Sequence, residues 1–317
     1  MKTILVAASA VAMCAIGFSA QAADYPSKTI EVITHAGAGG GTDVTTRMMM
    51  LRSRRVLKTD MVVLNKRGGA GVVSMNYFKP LEADGYTILA FTSGHAIQMA
   101  MGKTKLTLDE IRPIARGTDD PQILMVNCKK TAYKTPEEFV AGMKKTKLKV
   151  GTANLGDIDQ ISTYVFAKKG GLIQPTIVPF KGGGEVATQL VAGSVDVGVL
   201  NLSEASSQIK AGDICPMVIM SKNRMPVIPD ARTSVELGID AVFSTIRGFV
   251  VNAKTDDAKA AKLESGLVKA MNHSVYQAFL VSVGLDATSV VGAKEWGEQI
   301  RSMVSEMGPA LKEMGLK

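Results

Sequence analysis

Short apolar runs alternate with helical patterns along nearly the whole chain, and several of the junctions between them are glycine turns. Strand-like runs lie at about 29–34, 61–64, 87–92, 123–128, 148–152, 176–179, 195–200, 216–220 and 246–252. Helical periodicity occupies about 42–57, 71–80, 136–145, 158–169, 185–192, 203–210, 257–283 and 294–313. Alternation of this kind selects an α/β architecture with parallel-rich sheets. No Pro- or Ser-rich linker divides the chain, yet it is long enough for two lobes with a core each. A chain that enters a second lobe and later returns to the first produces this pattern. The expected division is residues 23–125 with 240–317 as lobe 1 and 126–239 as lobe 2, with a hinge between them.

The first 22 residues read as a leader rather than as structure. Met1-Lys2 is a short positive start, Ile4 to Phe18 is almost wholly apolar, and Ala20-Gln21-Ala22 is an A-x-A cleavage site. Bulky Met13 in front of Cys14 argues against lipid attachment. Cleavage after Ala22 and export to the periplasm are expected. No later stretch reaches about 18 uninterrupted apolar residues, so no direct membrane insertion is expected.

The formal net charge of +8 is spread thinly, and aromatic residues make up only 5% of the chain. A nucleic-acid face wants basic residues interleaved with stacking rings, so no nucleic-acid partner is expected. A modest positive field still draws in anions. Three histidines, His35, His95 and His273, and the absence of a C-x-x-C pair give no support for a metal site, and no cofactor is expected. Cys128 and Cys215 could pair in an oxidising compartment. Spacing does not fix their Cα separation, and two unpaired, buried thiols are the favoured expectation.

The leading motif is Gly39-Gly40-Gly41-Thr42-Asp43, between a strand and a helix. Glycine allows a tight turn and a close approach to backbone, and a helix N-terminus favours a carboxylate or phosphate. Asp43 suits a structural role, capping the helix and fixing the glycine loop. The same strand–turn–helix logic returns at "VPFKGGGEVATQLVAG" (178–193) and at "VGTANLGDIDQIS" (150–162). Dinucleotide binding fits poorly, because Gly37-Ala38-Gly39 leads to Thr42 where G-x-G-x-x-G needs a third glycine. Gly102-Lys103-Thr104 is no P-loop, since Ile97 stands where its first glycine belongs. A G-x-S-x-G elbow is absent and Ser93-Gly94-His95 is too local for a nucleophile–base pair, so no enzyme is expected.

The stretches "YPSKTIEVI" (25–33), "GGGTD" with Arg47, "NKRGGAG" (65–71), "ADGYTIL" (83–89), "VPFKGGGEVATQLVAGSVDVGV" (178–199), "IKAGD" (209–213) and "SKNRMPVIPDARTSVELG" (221–238) follow one another in an order that carries a resemblance. The chain resembles the substrate-binding proteins of tripartite tricarboxylate transporters, the Bug family, over its whole mature length. The resemblance implies a two-lobed periplasmic-binding-protein-like fold with a mixed, parallel-rich sheet in each lobe. It implies capture of a small carboxylated solute by a monomer and delivery to membrane permease subunits. A sensor subunit presenting its ligand to a membrane receptor kinase is the alternative. Carried over residue by residue, the first lobe would offer Gly39, Gly40, Gly41, Thr42, Asp43, Ser93 and His95. The second would offer Thr152, Asn154, Gly156, Asp157, Lys181 and Gly182.

Some positions depart from the family's pattern. His35 and Ala36 stand where an aromatic residue and a proline are frequent, Gln160 where histidine is common, and Phe180 where tyrosine is usual. Asp157 stands where serine or threonine is usual, and a carboxylate there repels an anion unless a cation or ligand ammonium intervenes. Asp157 either selects an amino group or caps a helix while facing away; capping is preferred. Lys181 pairs with a carboxylate or is a solvated turn residue. His95 contacts ligand or water, or lies in a surface loop.

Overall fold

The computed structural model describes residues 25–39, 41–153 and 155–317. The leader, Gly40 and Asn154 therefore lie outside the described residues. The chain opens with β1 (Ile30–Thr34), α1 (Gly41–Met50), α2 (Ser53–Leu57), β2 (Met61–Asn65), α3 (Val72–Phe78), β3 (Thr87–Thr92), α4 (Ser93–Ala100) and β4 (Ile111–Pro121). It continues with β5 (Ile123–Asn127), α5 (Pro136–Met143), β6 (Lys149–Thr152), α6 (Ile158–Lys169), β7 (Thr176–Pro179), α7 (Gly183–Ala192), β8 (Val197–Leu200), α8 (Ser206–Lys210), β9 (Ile214–Ile219) and β10 (Arg232–Thr233). It ends with β11 (Ser244–Asn252), α9 (Asp257–Met271), α10 (Ser274–Ser282), β12 (Val291–Gly292) and α11 (Ala293–Glu313).

Two six-stranded mixed sheets result, ordered β12-β4-β11-β3-β1-β2 and β10-β9-β5-β8-β6-β7. In the first, β1 runs parallel to β2 and β3; in the second, β6 runs parallel to β7 and β8. Each sheet also takes in an antiparallel strand that arrives from the other: β11 beside β3, and β5 beside β8. The passage between sheets is knitted by backbone hydrogen bonds among three segments. Gln122 N donates to Phe243 O at 2.9 Å, Met220 N to Gln122 O at 2.8 Å, and Phe243 N to Met220 O at 2.9 Å.

This topology sets where a ligand can bind. The order in which strands are added reverses at β1 and at β6, whose two neighbours are joined to it in opposite directions across the sheet, and ligands in open α/β sheets lie beyond the carboxyl ends of strands at such switch points. The turns after β1, β3, β6 and β7 all lie at carboxyl ends of parallel strands.

The apolar core runs along both sheets and is continuous across them on one side. There Ala96 and Ile97 of α4, Met303 and Met307 of α11, and Ile161 and Val165 of α6 belong to one buried cluster. Helix α11 is amphipathic and spans the gap. Its Trp296 is fully buried and donates from Nε1 to Phe249 O at 3.2 Å, whereas Glu313 near its end pairs with Lys168 of α6 at 2.6 Å.

Several sequence expectations need correction. The helix expected over 42–57 is broken between α1 and α2, and the one over 257–283 breaks where His273 N-caps α10 by accepting from Val275 N at 3.2 Å. Strand β4 was not foreseen, because "IRPIARGTDDP" carries charges, proline and glycine instead of apolar alternation. Helix α4 was read as a loop; its capping box uses His95 in place of the usual Glu or Gln. Cys128 and Cys215 are not free thiols but a disulfide with Cα atoms 5.2 Å apart, because β5 and β9 are antiparallel neighbours that bring the two residues together.

The disulfide links positions 87 residues apart. Replacing both cysteines by serine should lower unfolding stability by about 2–4 kcal/mol, read as a fall in the urea midpoint. An unshifted midpoint would contradict a constraining role.

Candidate functional site

The first glycine turn is held from within. Asp43, at the third position of α1, reaches back so that Gly39 N donates to its Oδ2 at 2.9 Å. Asn65 Nδ2 donates to Oδ1 at 2.8 Å, and Arg47 closes a two-pronged pair at 3.0 and 3.1 Å. The bonds from Arg47 hold this covered carboxyl down at about 2. Asp43 thus fixes the loop, as a structural residue.

Ser93 and His95 are spent on architecture. Ser93 Oγ accepts from Ile246 N at 2.9 Å and donates to Ser244 O at 3.3 Å, tying α4 to β11. His95 is no surface residue; it is fully buried. Its Nδ1 accepts from Thr92 N at 3.0 Å, which leaves the proton on Nε2 to donate to Ser74 Oγ at 2.9 Å. Gly71, at φ +108°, makes room for the ring, because a Cβ there would lie 2.8 Å from His95 Cδ2. Burial, with the neighbouring His35, drives the His95 pKa far down and keeps the ring neutral. His35 meets it edge-on at 4.7 Å and is pushed down to about 4, first by burial and then by the charge of Arg247.

In the second lobe the helix ends are met by the protein's own side chains. Asp157 is the N-cap of α6, accepting from Gln160 N at 3.1 Å. Asp159 Oδ2 accepts from Ala153 N at 2.8 Å, and Gln160 Oε1 from Gly156 N at 2.8 Å. Glu185 Oε2 accepts from Lys181 N at 2.9 Å, and the Lys181 residue itself is exposed. Thr152 is fully buried at the end of β6. Gly182 N-caps α7 without a side chain, and next to it Glu204 rests its carboxylate on Gly183, where a Cβ would lie 2.2 Å from Cδ. Asn201 N donates to the same carboxylate at 2.9 Å. At several of these turns a backbone amide already donates to an internal acceptor.

A cation near the first glycine turn comes from a residue that the sequence does not single out. Arg247 lies on β11, paired with Thr92 of β3 and Thr118 of β4, just before a register shift. Its one side-chain hydrogen bond among the described residues is long, Nε to Thr42 Oγ1 at 3.5 Å, at the start of α1. Asp120 and Glu204 act on it through space without forming ion pairs with it, and burial lowers its pKa. Residues opposite each other on neighbouring strands share a face, so Thr118 and Asp120 of β4 stand beside Thr245 and Arg247 of β11. Second-lobe groups close on the same place: Asn201 Nδ2 donates to Asp120 O at 2.9 Å, and Thr245 Oγ1 donates to Asn201 Oδ1 at 3.1 Å. The other face of this strand pair, with Asp119 and Ser244, lines a separate groove of about 590 Å³.

Residues 45–316 match the tripartite tricarboxylate transporter family receptor. The chain belongs to that family. It is 26% identical to a UPF0065 protein of Bordetella pertussis over 97% of this chain and 96% of that protein. Its fold is similar to a TctC solute binding protein from Polaromonas, with 25% identity, a TM-score of 0.85, and coverage of 91% and 99% of the two chains. MatC from Rhodopseudomonas palustris, solved with bound malate, has the same fold at 23% identity and a TM-score of 0.69, covering 90% of this chain and 100% of that one. The family receptor therefore has the α/β two-domain periplasmic-binding-protein fold and is a solute-binding protein. Among its described residues no group of three or more His, Cys, Asp or Glu side chains is placed to hold a metal, and no helix is long and apolar enough to cross a membrane.

Several acids around Arg247 and at the start of α6 are buried. Burial pushes Asp120 up to about 8, with Arg247 opposing and Glu204 and Asp119 adding to the rise. Burial also raises Glu204, and burial with the charge of Asp157 raises Asp159. The folded chain holds the Asp120 proton to higher pH than the unfolded chain does. Stability from its neutral form is thus complete below about 4 and fades as pH climbs to about 8. The Tm of the wild type relative to Asp120→Asn should decline across that window, and a flat difference would show that Asp120 ionises normally.

Proposed function

We propose that this chain captures a small carboxylated solute between its lobes and delivers it to the membrane permease subunits of a tripartite tricarboxylate-type transporter. Leader removal after Ala22 would release it into the periplasm, where it acts as a monomer. The observation that carries the reading is Arg247: a largely desolvated guanidinium with no ion-pair partner among the described residues, set against Thr42 at the start of α1. A guanidinium presents a planar fork matched to a carboxylate, and the positive end of a ten-residue helix adds to the attraction. MatC, of the same fold, is solved with a bound carboxylate, malate.

On this reading Gly39, Gly41, Thr42 and Asp43 shape the first-lobe wall, Thr152, Gly156 and Asp157 with Lys181 and Gly182 shape the second, and Ser93 and His95 support from behind. Closure of the lobes would be favoured only by contacts a solute makes to both.

A thermal-shift screen of the purified protein against mono-, di- and tricarboxylates of three to eight carbons tests this. A true ligand at a hundred times its Kd should add about 2.7 kcal/mol, and Arg247→Gln should abolish the shift while remaining folded. A silent panel, or a ligand shift undiminished in Arg247→Gln, would refute the assignment.

A further inference from the structure

We propose that Asp120 reads a charged amino group on the solute, so that the captured molecule is an amino-carboxylate and not a plain polycarboxylate. This rests on the carboxylate reading of Arg247 and deepens it. The starting point is a row of unanswered acceptors. Thr118, Asp120 and Gln122 alternate along β4 into the crossing, and their relative exposures are 2%, 6% and 1%. Thr118 Oγ1, Asp120 Oδ1 and Gln122 Oε1 are all buried without a hydrogen-bond partner, and so is His35 Nδ1. These are four of the five such side-chain atoms among the described residues. Gln122 Nε2 is engaged elsewhere, donating to Thr245 Oγ1 at 2.8 Å.

Buried polar atoms are nearly always paired in a finished structure, because an unpaired one has lost its water and gained nothing in return. Gln122 Oε1 and an ionised Asp120 only accept, and the Thr118 hydroxyl can accept as well as donate, so a donor completes the row. An ammonium is the strongest candidate, because it brings up to three donors and a positive charge to a desolvated carboxylate. Arg247 does not serve that purpose, since it forms no ion pair with Asp120. Asp120 faces Thr245 and Arg247 faces Thr118, so the two are diagonal neighbours on adjacent strands, about 7–8 Å apart at Cα. A molecule of a few carbons with a carboxylate and an amino group can answer both. A plain dianion suits the place less: beyond the carboxylate on Arg247, its second negative group would lie near Glu204 in a low-dielectric setting. Burial of Asp120, which keeps it protonated near neutrality, fits the same picture. An arriving ammonium would favour the ionised carboxylate and release that proton. The charged groups facing Asp120 are Arg247, Glu204 and Asp119, with Asn201 as its polar neighbour.

Titration calorimetry with matched sets tests the proposal: propionate, lactate and alanine; succinate, malate and aspartate; glutarate, 2-hydroxyglutarate and glutamate. In at least one set the amino member should bind about tenfold or more tighter than the plain and hydroxyl members, the worth of one charge-assisted hydrogen bond. In Asp120→Asn that preference should shrink to about threefold or less. At pH 7 the heat of binding the amino member should depend on the buffer's ionisation enthalpy in the wild type and not in Asp120→Asn. A plain or hydroxyl member binding as tightly as its amino partner in every set would overturn this inference and leave the carboxylate reading standing. An amino preference that survives intact in folded Asp120→Asn would do the same. No binding by any member would overturn both.

Discussion

A guanidinium held next to two carboxylates without touching either is the interaction on which the site turns. Arg247 comes from a strand that has just returned from the second sheet, Asp120 from the strand about to leave the first, and Glu204 from the second lobe itself. None of these charges would be left apart in a low-dielectric place unless something else balanced them. The strands that tie the lobes together therefore also carry the groups a solute would answer. Binding and the geometry of the crossing share the same few residues, from Thr118 to Gln122 and from Phe243 to Arg247.

The glycine turns play a different part from the one their composition suggests. Helix N-termini attract anions, but here several of the anions are internal: Asp43 behind α1, Asp157 and Asp159 at α6, Glu185 and Glu204 at α7. The turns are rigid because their amides are used. That suits a wall, and on the proposed reading side chains of β4 and β11 hold the solute's charge. His95 follows the same pattern, with both ring nitrogens committed to neighbours and no exposure to solvent.

Much of the fold was legible in the chain. Apolar strands such as Ile30–Thr34 and Ile123–Asn127 stand out because burial on both faces demands continuous hydrophobic runs. Helix α6 carries its own N-cap in Asp157. The parts that were missed share a cause. Strand β4 carries polar residues on a face turned toward the site, so it lacks the alternation that marks a strand. Helix α4 begins with a histidine cap that local rules do not name. Arg247 lay inside a recognised strand, but nothing about one arginine in "STIRGFVV" says that Thr42, some two hundred residues earlier, will lie beside it.

The sequence by itself determined the class of structure, the order of its elements and the family, because those depend on local periodicity, turn chemistry and short ordered motifs. Only the tertiary structure decided which charges meet, that Cys128 and Cys215 join, and that His95 is sealed inside. Those outcomes depend on distances between segments far apart in the chain, which are set by strand pairing and packing and by no single stretch of residues.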